Sequence, residues 1–151
     1  MQTNHVASVL EDLVETLEDG RKGFEQTAEK LASDGHTDIA ATMRQFAEQR
    51  ARFSVELQQI AGRNGVDLQE SGSVSGALHR GWIGLKDALT GSDPHAVLAA
   101  AETGEDHAVS EYEDALSDME LPADVRDVIV RQSMEVRTAH DTVRGLRDAT
   151  G

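Results

Sequence analysis

Two carboxylates three residues apart, Glu102 and Glu105 in the stretch AAETGEDHAVSEYEDAL (100 to 116), are the groups whose type and spacing could do chemistry. On a helix such a pair shares one face. The apolar residues in the same register, Leu98, Val109, Tyr112, Leu116 and Met119, turn that face toward a core. A carboxylate buried alone costs several kcal/mol or takes up a proton, so the pair demands partners. One reading supplies them from the protein: a buried polar layer of Arg50, Glu102, Glu105, Gln132 and Tyr112, fixing helix register and needing no cofactor. In that reading the second negative charge is met by a shared proton, Arg137 or His140. The other reading supplies a divalent ion, Fe or Mn, held by Glu102 and Glu105 with Glu135 or His140 and water.

A second polar group lies in LHRGW (78 to 82), where His79 and Arg80 form a small site beside Trp82, itself an aromatic anchor for the local chain. His5, His36, His95 and His107 fall near helix starts or on a solvated face, where a lone histidine is ordinarily a surface residue. The acidic runs EDLVETLED and SEYEDALSDME read as solvated faces. Nothing points to nucleophilic catalysis: cysteine is absent, no phosphate-binding glycine loop is present, and no Gly-x-Ser-x-Gly turn follows a strand. No catalytic residue is assigned, and an enzyme is not expected.

The elements that must position these groups are helices. Apolar residues recur at intervals of three and four with no alternating strand pattern, so the fold class is all-α. Helices are expected at about 4–33, 37–62, 74–89, 94–119 and 122–148, with Gly35 stopping the first, Asp93 capping and Pro94 opening the fourth, and Pro122 opening the last. Four of them are long, about 40 Å at ~1.5 Å per residue, and imply an antiparallel four-helix bundle in one domain, 1–151. The short helix 74–89 is an extra piece in the crossover between two hairpins. Gly20, Gly23 and Gly104 sit inside helices, where they permit close packing at a cost of about 1 kcal/mol each.

If the long helices share one midpoint level, near residues 19, 50, 106 and 135, then Arg50, Glu105 and Gln132 fall in one layer with Gly20 making room beside them. Glu102 lies a turn away and Glu135 flanks Gln132.

Charge and composition restrict the partners. With 28 acidic against 14 basic residues the formal charge is −14, which opposes binding to nucleic acid or to an anionic membrane. Neither a signal peptide nor a membrane span is read, and the lack of cysteine suits a reducing cytoplasm.

The residues LEDLVETLEDGRKGF (10 to 24), FAEQRARFSVEL (46 to 57), GSVSGALHRGWIGLKDAL (72 to 89), ETGEDHAVSEYEDAL (102 to 116) and RQSMEVRTAHDTVR (131 to 144) resemble the DUF2383, or PA2169, family of bacterial proteins in the ferritin-like superfamily. That resemblance implies a ferritin-like bundle and carries no established activity. Di-iron members of the superfamily hold metal at the midplane with one Glu on each of two helices and Glu-x-x-His on the other two. The pattern is broken here: Leu17, Gly20 and Phe24 occupy the first helix, Glu48 is followed by Ala51 and not by His, Arg50 points inward, and Gln132 and Glu135 stand where Glu and His belong. The leading expectation is a structural or interaction module, with a homodimer through the short helix or an outer apolar face. The alternative is a degenerate iron- or manganese-binding relative.

Overall fold

The structure, a computed structural model, describes residues 2–68 and 81–150, and among them the only regular elements are helices, with no strand. The elements are α1 (Gln2–Ser33), α2 (Thr37–Arg63), α3 (Leu85–Ala88), α4 (Pro94–Leu116) and α5 (Ala123–Thr150). Local chemistry sets the boundaries. Gly35, at φ 90°, closes α1 after Ser33. Asp93 caps α4 by accepting from the His95 amide at 3.0 Å, and Pro94 occupies the first turn, where no amide is needed. None of these helices is long and apolar enough to cross a membrane.

The four long helices pack in a ring, α1–α2–α5–α4, with α1 against α2 and α4 against α5 as the most extensive pairs. Contacts between named side chains give the directions. Gly20 and Phe24 meet Arg50 and Phe46, Thr16 meets Glu111, Tyr112 meets Gln132, and Asn64 meets Asp124. Every neighbouring pair is therefore antiparallel, and α4 runs in the same direction as α2. The end of α2 and the start of α4 therefore lie at opposite ends of the ring.

The apolar interior is in two parts. One gathers Leu10, Leu13, Leu17, Phe53, Leu57, Ala108, Ile129 and Val136; the other gathers Phe24, Leu31, Met43, Trp82, Ala101, Leu98 and Val143. On each long helix about two turns separate the parts: Leu17 to Phe24, Ala47 to Phe53, Ala101 to Ala108, Val136 to Val143. Gly20, Arg50, Glu102, Gly104, Glu105 and His140 lie in that interval.

Three expectations are corrected. The α4 helix stops at Leu116, not 119; Ser117 forms the cap, and Met119 is 88% exposed while Leu121 takes the apolar place. Gly81 adopts φ 85° and α3 has only four residues, so the expected helix 74–89 is absent over 81–84; its part before Gly81 lies outside the described residues. The helices also do not share one midpoint. Tyr112 pairs with Gln132, and His140 reaches Asp106, so the level of Glu105 on α5 is near Ala139 and Gln132 lies two turns away. The loop 117–122 allows the start of α5 to run past the end of α4, and this overhang displaces the level.

Candidate functional site

Arg50 and Glu105 form the centre of the interval. The guanidinium donates from Nη1 to Glu105 Oε2 and from Nη2 to Oε1, each at 2.6 Å, and the two side chains are 1% and 0% exposed. This is the bidentate fork that arginine offers and lysine does not. The Arg50 Nε donates to Gln49 Oε1 at 3.2 Å. Gly20 packs beside the guanidinium, where a Cβ would lie 3.4 Å from Nη1, an ordinary van der Waals contact. The guanidinium carbon also sits 5.2 Å from the centre of the Phe24 ring, one turn along α1 from Gly20, a cation–π distance.

Trp82 closes this layer along the α1–α4 seam. Its ring stands edge-on to Phe24 at 5.2 Å and is 2% exposed. A Cβ on either Gly23 or Gly104 would fall 2.2 Å from the indole, so the two glycines form the slot that accepts it. Gly81 turns the chain into the slot with its positive φ, and a Cβ at that position would meet the Cβ of His107 at 2.8 Å. His79 and Arg80, the other members of the expected crossover cluster, lie outside the described residues.

Glu102, one turn from Glu105, has different company. It accepts from Arg144 Nε at 2.9 Å and from Arg147 Nη1, and His140 Nε2 is 3.9 Å away. The Arg144 guanidinium is held more firmly protonated by the Glu102 carboxylate. His140 Nε2 faces Asp106 Oδ1 at 2.5 Å, and its Nδ1 faces Asp141 at 3.2 Å. Glu102 and His140 are buried, whereas Asp106 and Arg144 are largely in water. The cluster therefore sits at the rim of the α4–α5 seam.

Gln132 and Tyr112 form a third group in the other half of the interior. The Tyr112 hydroxyl donates to Gln132 Oε1 at 2.7 Å, and Gln132 Nε2 donates to Glu56 Oε1 at 2.8 Å and to the Phe53 carbonyl at 3.3 Å. Glu56 in turn pairs with Arg131 at the surface. Burial pushes the Tyr112 phenol well above its usual value.

The polar residues expected in one layer thus occupy three places. Arg50 with Glu105 is one, Glu102 with His140 another, Tyr112 with Gln132 the third. Glu135 joins none of them: it is half exposed, 3.6 Å from Arg131. Arg137 pairs with Glu113 on the surface and not with the buried carboxylates. Sequence reasoning missed Asp106, Arg144 and Arg147. Their signal was present, because Glu102 and Asp106 on α4 and His140, Arg144 and Arg147 on α5 make facing stripes of opposite charge at intervals of three and four. It also missed Asp19, a buried acid beside Gly20.

The donor set at the middle does not suit a metal ion. Both oxygens of Glu105 are taken by Arg50, and a guanidinium in that position repels a divalent cation. Among the described residues, Glu102, Asp106 and His140 bring one ligand atom each within 4.8 Å of one another, as do His5, Asp118 and Glu120. Two arginines already hold Glu102.

An all-helical protein with a sealed ion pair between two apolar half-cores is the class that fold and site define. The chain belongs to the family described as domain of unknown function (DUF2383), which it matches over residues 5–118. The match takes in α1 to α4 and the Arg50–Glu105 pair, and α5 lies beyond it. No match was found among curated proteins.

Proposed function

We propose that the chain is a single-domain, ferritin-like four-helix bundle whose central layer is closed by an ion pair, and that it acts as a structural or interaction module and not through a central metal. One observation carries this reading: Arg50 donates to both oxygens of the buried Glu105, and its positive charge lies where a midplane cation would have to bind. The antiparallel ring, with α2 and α4 running in the same direction, supports the ferritin-like topology. The test is elemental analysis of the purified protein for Fe, Mn and Zn, with aerobic Fe(II) titration followed by absorbance. The expected result is no ferroxidase activity and no metal that depends on Glu105. Near-stoichiometric metal lost on Glu105→Ala would overturn the reading.

A second reading has its own observation, the convergence of Glu102, Asp106 and His140. A metal there would have to displace Arg144 and Arg147 from Glu102, which weighs against it. The same measurement separates the two, since metal at the rim is lost on His140→Ala and retained on Glu105→Ala.

A further inference from the structure

The net charge of −14 is not spread evenly around the ring. Apart from the buried Arg50–Glu105 pair, α1 and α4 carry twelve acidic and three basic residues, and α4 has no Lys or Arg at all. On the same basis α2 and α5 carry eight of each sign, a neutral face. The two faces differ in cover as well. Trp82 and the turn around it sit in the α1–α4 seam, whereas Arg52, Gln59, Arg131 and Glu135 on the α2–α5 face are exposed.

The α2–α5 face has the chemistry of an interface. Val55, 54% exposed, lines a groove of about 620 Å³ between the two helices, and Met134, 66% exposed, follows on α5 next to the lining residue Glu135. Arg52 and Glu56 on α2, and Arg131 and Glu135 on α5, line the groove with alternating sign. A twofold copy laid on this face can set arginine against carboxylate in both directions, because an isologous contact repeats every pair. The Tyr112–Gln132–Glu56–Arg131 chain of bonds holds the centre of the face in place from inside. Two helices about 40 Å long and ~10 Å apart present a face of roughly 800 Å², the size each partner of a standard interface contributes.

We infer that the α2–α5 face binds a second copy of this chain, groove to groove, leaving the acidic α1–α4 faces outward and far apart. The inference rests on the module reading of the protein and supplies its partner. Stacking the other way would press two acidic faces together, which costs free energy at every separation shorter than the ~8 Å screening length of physiological salt.

The experiment is sedimentation equilibrium of the full chain over a range of concentrations, alongside Val55→Arg, Met134→Glu and, on the opposite α1–α4 face, Asp114→Arg. The expected result is a dimer whose dissociation constant rises about tenfold or more in the first two variants and stays unchanged in the third. Circular dichroism checks that the exposed substitutions leave the helices intact; a helical variant that sediments as a monomer supports the inference. A wild-type chain that stays monomeric overturns it, including the case where the face serves a different protein. A dimer indifferent to Val55→Arg and Met134→Glu, or dispersed by Asp114→Arg, overturns it too. None of these outcomes depends on metal content, so failure here leaves the reading of the central layer standing.

Discussion

Glu102 and Glu105 are one turn apart on the same helix, and their surroundings differ in almost every respect. Glu105 is fully enclosed and has one cation, Arg50, bound through both oxygens. Glu102 lies at the rim with Arg144, Arg147 and His140 around it, and two of its neighbours, Arg144 and Asp106, are more than half exposed. A buried charge with one partner has no alternative when that partner is lost. A rim charge with several partners and nearby water can exchange one for another. The comparison predicts that identical truncations on the two sides will have very different consequences.

The largest effect belongs to Arg50→Ala. It leaves Glu105 charged or forcibly protonated in a dry interior, and the expected loss of stability is about 3–5 kcal/mol. Denaturant unfolding measures it, and a loss under ~0.5 kcal/mol would mean that water or another group replaces the guanidinium at once. The double variant Arg50→Met with Glu105→Leu separates the cost of an orphaned charge from the value of the pair. Replacing both by apolar groups of similar volume is expected to restore most or all of the lost stability, as buried ion pairs commonly contribute little net free energy.

Next in size is the slot that seals the layer. Gly104→Ala forces a methyl into the indole of Trp82, and the overpacking is expected to cost about 2–3 kcal/mol despite the better helix propensity of alanine. Trp82→Ala in the same chain should make Gly104→Ala nearly harmless. Additive losses in that double-mutant cycle would show that the indole does not occupy the slot in solution.

The sequence made the helices legible because a stripe of apolar residues at intervals of three and four needs no tertiary information. Heptad phase also turned Arg50, Glu102 and Glu105 inward, and all three are buried. The position of each helix along its neighbours was not legible in the same way. A shared midpoint assumes that helices end flush, and the overhang of α5 past α4 moved Gln132 two turns from Glu105 and brought His140 near it. Periodicity specifies direction around a helix and says nothing of translation along it. The fate of Trp82 was legible only in kind: an aromatic anchor is a residue-level expectation, but its slot is made by Gly23 and Gly104, separated from each other by 81 positions. Facing charge stripes on α4 and α5 could have supplied the missing register, since Glu102 and Asp106 must meet His140, Arg144 and Arg147.

A third effect, of middle size, lies away from both carboxylates. Tyr112 is buried and its phenol is raised, so the folded state holds the proton more firmly than the unfolded chain does. Its contribution is then fully present below the unfolded phenol value of about 10 and is lost as pH rises above it. Tyr112→Phe leaves Gln132 Oε1 without its donor and is expected to cost about 1–2 kcal/mol at neutral pH. The variant should also show a shallower fall in stability above about pH 10 than the parent chain. Parallel alkaline profiles would place the phenol in contact with water.

The smallest effect is expected where the comparison is sharpest. Arg144→Ala removes a guanidinium that donates to Glu102, yet Arg147 and His140 remain against the same carboxylate, and the Arg144 side chain is 53% exposed. The loss is small because water already solvates the Arg144 guanidinium, salt screens it, and the buried Glu102 keeps two other partners. Thermal unfolding of Arg144→Ala should be indistinguishable from that of the parent chain at physiological ionic strength. Any small difference seen in dilute buffer should vanish as salt is added. A loss comparable to that of Arg50→Ala would show that Glu102 depends on one partner as Glu105 does, and the distinction between the sealed centre and the forgiving rim would fail.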